Sequence, residues 1–130
     1  MAENEIPDDV RGFVIQHVDS VPVLEAIITL NQNRDEEWDT AKAGARLYVS
    51  EAMAGVILAQ LAAQGIFSER ESDGRRLYRY RPGAGGLGGL VDRLVEVYAR
   101  ALIPLTRLIH SKPSASVRDF ADAFRLRKGE

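Results

Sequence analysis

The 130-residue chain contains no cysteine. This absence excludes disulfides, thiolate zinc sites, iron–sulfur clusters and cysteine nucleophiles, and it is typical of a reducing compartment, so we expect a cytoplasmic protein. No apolar run approaches the roughly 18 residues that a membrane span needs. The first residues, MAENEIPDDV, are acidic, which is unlike a signal or transit peptide. With 45% hydrophobic and 28% charged residues, the chain has the composition of one globular domain.

Signatures of catalysis and of metal binding are also missing. The two histidines, His17 and His110, stand far apart and in no metal-ligand spacing. The acidic segment 35–39 lacks the calcium-loop pattern D-x-[DN]-x-[DN]-G and predicts a solvated loop. No G-x-S-x-G, nucleophile–base pair or phosphate loop occurs. We therefore expect neither an enzyme nor a bound metal or cofactor.

A glycine-rich segment, GAGGLGG at residues 83–89, contains a literal G-x-G-x-x-G in Gly83, Gly85 and Gly88. A dinucleotide site needs this motif inside a strand–helix–strand unit, with an acidic residue about twenty positions later. Neither condition is met, because the segment follows Pro82 at the end of a predicted hairpin. We interpret residues 83–89 as a flexible hinge.

Charge is distributed unevenly along the chain. The net charge is −2, but residues 1–40 carry −8 and residues 41–130 carry +6. Arginine supplies 14 of the 17 basic residues. Only the second part of the chain therefore has the charge to serve a polyanionic partner such as duplex DNA.

Apolar residues at helical spacing predict four helices in the first half of the chain. Each of the last three is preceded by a side chain that can accept hydrogen bonds from the first turn, and we expect close backbone contact around Gly44. A short extended stretch at Trp38 separates the second helix from the third. The helices are 7–17, one capped by Ser20, one capped by Asp39 or Thr40 and ending near Leu47, and one capped by Ser50 and ending before Gly65.

The second half predicts a hairpin and two more helices. The Asp73–Gly74 pair favours a tight turn between two short strands. Beyond the glycines, apolar residues recur at spacings of four and three, which predicts a long helix with a heptad seam. Pro104 should kink this helix or mark a break near Ala101. A last helix is predicted from Ser116. The seam consists of Leu87, Val91, Leu94, Tyr98, Ala101, Leu105 and Leu108.

The heptad seam predicts a symmetric homodimer. On a monomer it would leave a large exposed apolar stripe, which soluble proteins normally cover. The same spacing also allows the seam to pack wholly within one chain, and the sequence does not distinguish the two arrangements.

Residues 20–81 combine two helices joined by a turn with an arginine-rich hairpin. Their signatures are LEAIITL, GARLYVSEAMAGVILAQLAAQGIF and SERESDGRRLYRYRP. This segment resembles the winged helix–turn–helix domain, and the flanking helices resemble the dimerisation helices of MarR-type bacterial transcriptional regulators. The resemblance implies a mostly α fold with a small β-hairpin wing. The implied units are an N-terminal dimerisation helix at 1–19, a winged helix–turn–helix domain at 20–82, a hinge at 83–89 and C-terminal dimerisation helices at 90–130.

The resemblance further implies a dimeric regulator that binds duplex DNA, with the fourth helix in the major groove and the wing along the backbone. Guanidinium groups suit the wing because they bind phosphate bidentately. The family likeness also allows a small effector between the dimerisation helices and the DNA-binding part, although no residue identifies one. The expected phosphate ligands are Arg70, Arg75, Arg76, Arg79, Lys42 and Arg46, and the expected base-edge ligands are Ser50, Met53 and Gln60.

The fourth helix departs from the family pattern. None of the positions expected to face outward, from Glu51 to Gln60, is basic, whereas guanine is usually read by arginine or lysine. Two interpretations follow. Either the wing arginines supply most of the affinity and the sequence is read through DNA shape, or the apolar helix face docks a protein partner. The DNA hypothesis requires guanidinium groups that are not paired with carboxylates of their own chain.

Overall fold

The computed structural model describes residues 6–111. Within these residues the fold is mostly helical, with six helices and one antiparallel sheet of two strands, which confirms the predicted fold class at this level. The helix predicted from Ser116 lies outside the described residues. The elements are α1 Asp8–His17, α2 Val21–Gln32, α3 Thr40–Leu47, α4 Glu51–Ala63, β1 Phe67–Ser72, β2 Arg75–Tyr80, α5 Leu87–Arg100 and α6 Leu102–Ser111.

The predicted capping residues begin their helices. Asp39 accepts a hydrogen bond from the Lys42 N–H at 2.7 Å, and Ser50 accepts one from the Met53 N–H at 3.0 Å. Ser20 caps α2 in the same way. Each cap satisfies one of the N–H groups that a helix start leaves without a partner. α2, α3 and α4 therefore start where local sequence predicts.

β1 and β2 form the predicted hairpin. Asp73 and Gly74 occupy its turn with φ angles of 53° and 77°, the left-handed geometry that a tight two-residue turn uses. Trp38 pairs with Tyr78 of β2 through two backbone hydrogen bonds of 2.8 Å each. This bridge holds the segment between α2 and α3 against the hairpin and brings residues 35–39 close to β2.

α3 and α4 approach each other closely at Gly44. A Cβ atom at this position would lie 3.0 Å from the Val49 carbonyl oxygen, which belongs to the turn joining the two helices. The Val49 N–H donates to the Gly44 carbonyl at 3.0 Å. The predicted close backbone contact is confirmed, and its partner is the turn that leads into α4.

α2, α3, α4 and the hairpin of β1 and β2 form one packed group, which we call the helix–hairpin unit. α2 is its central helix, since it contacts α3, α4 and β2. Its residues from Val23 to Asn31, except Glu25, are buried, with Leu24 and Ile27 completely inaccessible to solvent. Asn31 is also buried and donates a hydrogen bond from Nδ2 to Asp92 on α5 at 3.3 Å. The core thus continues from the helix–hairpin unit into the C-terminal helices.

The N-terminal and C-terminal helices pack on each other within one chain, because α1 contacts both α5 and α6. Val91, Leu94 and Leu105 of the heptad seam are completely buried there. The exposed apolar stripe that motivated the predicted homodimer is therefore absent from residues 6–111. The seam satisfies its apolar contacts inside the chain, which is the second of the two arrangements that the spacing allowed.

The interruption predicted near Ala101 is confirmed. α5 ends at Arg100 and α6 starts at Leu102, so Pro104 falls in the first turn of α6. Proline is tolerated there because its missing N–H would have no helical acceptor. The Ala101 N–H donates to the Val97 carbonyl at 2.7 Å and closes the last turn of α5.

No single helix in residues 6–111 combines the length and the apolar character needed to cross a membrane. α1 and α2 meet the requirement only as a pair, and they are bent by 115° where they join. α4 is apolar but shorter than a membrane span.

A candidate binding surface on the fourth helix and the hairpin

The outward face of α4 is apolar. Val56 is 62% exposed and Met53 is 49% exposed, and the neighbouring Ala52 and Ala59 are exposed as well. Glu51, in the first turn, is the one charged residue of the helix. α4 is therefore apolar on its solvent side as well as on its buried side. In soluble proteins an all-apolar helix of this kind is normally covered by another surface.

Tyr48 occupies the turn before α4 in an unusual backbone conformation. Its φ and ψ angles of 59° and 42° are left-handed, and this region costs a non-glycine residue roughly 1–2 kcal/mol. The side chain is 93% exposed, so packing within the chain does not offset that cost. Glycine is the residue that usually ends a helix in this conformation. A strained, exposed aromatic residue points to a contact with another molecule.

A cavity of about 320 Å³ opens beside Tyr48. Glu25, Thr29, Arg46 and Leu47 form the rest of its lining. Arg46, an expected phosphate ligand, makes no ion pair with any of residues 6–111. The cavity is large enough to receive one side chain of a partner, the way in which interfaces anchor their central residues.

Two of the other expected ligands on α3 and α4, Ser50 and Lys42, are engaged within the fold. The Ser50 hydroxyl caps α4, and Gln60 is half-buried. The Lys42 ammonium donates to Glu36 at 3.4 Å and lies 4.4 Å from the centroid of the Trp38 ring. Of the three base-edge candidates, only Met53 presents its side chain mainly to solvent without such a role.

The hairpin arginines are paired with carboxylates of the same chain. Three of them bind acidic residues of the segment 35–39, and the fourth binds an acidic residue of β1. Lys42 binds Glu36 in the same way. Each of the four acidic residues in segment 35–39 therefore forms an ion pair with one of the expected DNA ligands. This arrangement counts against phosphate binding by Arg70, Arg75 and Arg76, whose pairs are 3.1 Å or shorter. The pairs are Arg70–Glu37 at 2.5 Å, Arg75–Asp39 at 2.8 Å, Arg76–Glu69 at 3.1 Å and Arg79–Asp35 at 3.8 Å.

The Arg70–Glu37 pair has the best geometry of the four. The guanidinium group donates two parallel hydrogen bonds, one from Nε at 2.5 Å and one from Nη2 at 2.6 Å. The hydrogen bond from Arg70 lowers the pKa of Glu37, and the same bond raises the pKa of Arg70. A bidentate pair of this kind fixes the hairpin against the segment that precedes α3.

The carboxyl group of Glu37 is expected to titrate below its ordinary pKa, and Arg70→Ala should return it towards that value. Since the pKa is lowered in the folded state, the pair stabilises the fold above the unfolded-state pKa of Glu37. That contribution is lost as the pH falls through the lower, folded-state pKa. Carbon-13 NMR titration of the carboxyl groups measures both values. Arg76→Ala is the control, because Arg76 pairs with Glu69 instead. If both substitutions change the pKa of Glu37 equally, its lowered pKa is not due to Arg70.

The acidic segment cancels the charge of the hairpin. Residues 20–82 contain nine acidic and eight basic residues, a net charge of −1. DNA-binding surfaces ordinarily carry clustered positive charge. Among the arginines in and beside the hairpin, Arg81 alone forms no ion pair within the described part of the chain. Residues 20–82 therefore carry no net positive charge.

Neither similarity to known proteins nor a metal site indicates the function of this protein. Comparison of the chain with protein-family models, with curated proteins and with solved structures finds no match. Residues 6–111 contain no group of three or more side chains placed to hold a metal ion.

Two features of this surface were missed by sequence reasoning. The acidic segment 35–39 was interpreted as a solvated loop, although its opposite charge to the hairpin was a visible signal. Its pairing depends on the bridge between Trp38 and Tyr78, which joins residues far apart in sequence. The exposure of Tyr48 also carried a signal, since a helix C-terminus at that position lacks the usual glycine.

Proposed function

We propose that this protein is a winged helix–turn–helix module that binds a protein partner through the α4 surface, defined as Tyr48, Ala52, Met53, Val56 and Ala59. The partner presents apolar side chains, most simply on an amphipathic helix that lies along α4. The observation that carries the proposal is the exposed, uncharged face of α4 next to the strained and exposed Tyr48.

The order of the elements supports the winged-helix assignment. α2, the Trp38 bridge, α3, α4 and the hairpin follow one another as the helices, short strand and wing of such a domain do. In this arrangement the second helix of the helix–turn–helix presents the recognition face. α4 holds that position, and its outward residues suit an apolar partner rather than base edges.

The chemistry of the α4 surface resembles the centre of a protein interface. Tyrosine and methionine are enriched in such centres, and charged residues are depleted. The small side chains of Ala52 and Ala59 leave room for a partner backbone to approach, while Val56 supplies apolar area. The cavity beside Tyr48 offers a place for one anchoring side chain.

DNA binding is the second candidate, and the exposure of the hairpin arginines favours it. Their side chains remain between 43% and 66% exposed despite the ion pairs. Exposed pairs contribute only about 0–1 kcal/mol each, so phosphates could replace the carboxylates. We rank this candidate second because the displaced acidic groups would remain beside the DNA backbone and repel it.

Photo-crosslinking from position 56 tests the proposal. Val56 is replaced by p-benzoylphenylalanine in the full chain, and the protein is irradiated in the cells that produce it. We expect one discrete product that is sensitive to protease and resistant to nuclease, and that is largely lost when Met53→Glu is added. A nuclease-sensitive product would overturn the proposal in favour of DNA. A product of twice the chain mass would identify a second copy as the partner.

Matched variants separate binding from folding in this experiment. Ile103, which is 66% exposed on α6, is the control position for the photoreactive residue. Tyr48→Gly relieves the left-handed strain, so a lost product in that variant cannot be attributed to unfolding. The absence of any product from position 56, or an equal product from position 103, would contradict the proposal.

A further inference from the structure

A second cavity, of about 350 Å³, lies at the base of the hairpin. It is formed by the residues after α2, the end of β2 and the start of α5. Its charged lining includes three arginines and two aspartates, so the cavity is cationic overall. The charged residues are Arg34, Arg79, Arg81, Asp35 and Asp92, and Tyr80 and Gly88 also line the cavity.

The arginines of this cavity are loosely held by their carboxylates. Arg79 lies 3.8 Å from Asp35, and Arg34 lies 3.5 Å from Asp92. The other hairpin arginines have pairs of 2.5 to 3.1 Å. The Asp35 side chain is 99% exposed, and Arg81 has no ion pair within residues 6–111. The Nε atoms of Arg34 and Arg79 donate to backbone carbonyls at 3.2 and 3.1 Å, and these bonds leave their Nη groups available. An anion entering the cavity therefore competes mainly with weakly held carboxylates for the Nη groups.

The start of α5 adds main-chain donors to the same cavity. α5 begins after Gly86 without a side-chain cap, so the N–H groups of its first turn lack helical acceptors. Gly88 lies in this turn and lines the cavity, and a Cβ there would be 3.2 Å from Cγ of Pro82. Glycine thus permits the close approach of the helix start to the end of the hairpin. The positive end of a helix dipole favours a bound anion.

Tyr80 supplies a second, independent observation. It is 6% exposed, and within residues 6–111 its hydroxyl group has no hydrogen-bond partner of suitable geometry. The guanidinium carbon of Arg34 lies 5.2 Å from the centroid of the Tyr80 ring. Burial raises the pKa of Tyr80, and the nearby Asn31 amide acts in the opposite direction. The Tyr80 ring therefore lies beneath Arg34 in the lining of the cavity. Its hydroxyl group is a buried donor that an anion could engage if the anion moved Arg34 aside.

We propose that this cavity binds a phosphate-bearing small molecule, held by Arg34, Arg79 and Arg81 and by the first-turn N–H groups of α5. The glycines that we interpreted as a hinge would then also shape an anion-binding helix start. The proposal does not depend on the partner assigned to the α4 surface. Because α5 packs against α1 and α6, a ligand here would link the hairpin to the terminal helices.

Titration of the full chain with inorganic phosphate, followed by two-dimensional nitrogen-15 NMR, tests the site. We expect saturable shifts of the Gly88 and Gly89 amides that sodium chloride of equal ionic strength does not reproduce. Arg81→Ala should weaken phosphate binding about tenfold, the loss expected for one charge-assisted contact. Asp35→Asn should tighten it, because a competing carboxylate is removed.

Controls distinguish a specific phosphate site from nonspecific attraction of phosphate to positively charged residues. Arg107→Ala changes an exposed arginine on α6 that does not line the cavity and should leave the affinity unchanged. Equal losses in Arg81→Ala and Arg107→Ala, or no saturable shift, would overturn the proposal. A short random duplex is titrated at the same phosphate concentration. Shifts of these amides by the duplex but not by phosphate would assign the cavity to the DNA backbone and also reject the small-molecule site.

Discussion

Replacing Leu94 with alanine is expected to lower the free energy of unfolding by about 3 kcal/mol. Leu94 is completely buried on α5, which packs against α1 and α6. The substitution removes apolar burial and leaves a cavity that the surrounding helices cannot fully close, and both losses reduce stability. Urea denaturation followed by circular dichroism gives the change in free energy.

The control for this substitution is Glu96→Ala, an exposed position on the same helix, which should change stability by no more than about 0.5 kcal/mol. Because Leu94 is buried within one chain, the difference between wild type and Leu94→Ala should be the same at every protein concentration. A difference that grows as the protein is concentrated would show that the seam belongs to an intermolecular interface.

Replacing Gly44 with valine is expected to lower the free energy of unfolding by about 2 kcal/mol. Its Cβ would lie 3.0 Å from the Val49 carbonyl oxygen and 3.5 Å from the Glu51 Cα. Both are backbone atoms, so no side-chain rotation relieves the contact and the turn between α3 and α4 has to move. Since Tyr48 lies in that turn, the photo-crosslink from Val56 should weaken as well. Urea denaturation of the variant measures the loss.

Gly12→Ala on α1 is expected to stabilise the protein, in contrast to Gly44→Val. Outside its own helix backbone, no atom of residues 6–111 lies within 4 Å of a Cβ added at Gly12, and the position is helical and exposed. Alanine should therefore raise stability by about 0.5–1 kcal/mol, because it restricts the unfolded chain and favours helix. If both glycine substitutions destabilise the protein equally, the close backbone approach at Gly44 is not the cause of the loss.

Helix starts and turns were predictable because they depend on residues close in sequence. The caps at Ser20, Asp39 and Ser50 act on the N–H groups of the next turn. The left-handed turn at residues 73–74 follows from the backbone freedom of aspartate and glycine. The break at Ala101 follows from the proline three residues later. In each case the interaction spans only a few residues of the chain.

The candidate site was only partly predictable. The α4 face was expected to be uncharged, and the structure places Met53 and Val56 on an exposed surface. The hairpin was expected to carry free arginines, but Arg70 and Arg75 are bound to acidic residues more than thirty positions earlier in the chain. The periodicity of apolar residues in the sequence predicts which residues share a face of a helix or strand. It does not report which distant side chains will lie opposite them.

The heptad seam shows in the same way that sequence spacing does not identify the surface against which an apolar face packs. Its spacing correctly predicted a buried face on α5 and α6, but one apolar face fits a second copy or another helix of the same chain equally well. Contact with α1, about eighty residues away from Leu94, makes the packing intramolecular.

The amino-acid sequence by itself determined the helices, their ends, the hairpin turn and the apolar character of α4, because these depend on neighbouring residues and on composition. The tertiary structure decided which charges neutralise each other and which apolar faces remain exposed. Both outcomes depend on contacts between distant segments, chiefly the bridge of Trp38 to Tyr78 and the packing of α1 on α5 and α6. Our proposal of a protein-binding surface rather than a DNA-binding one rests on these two tertiary features.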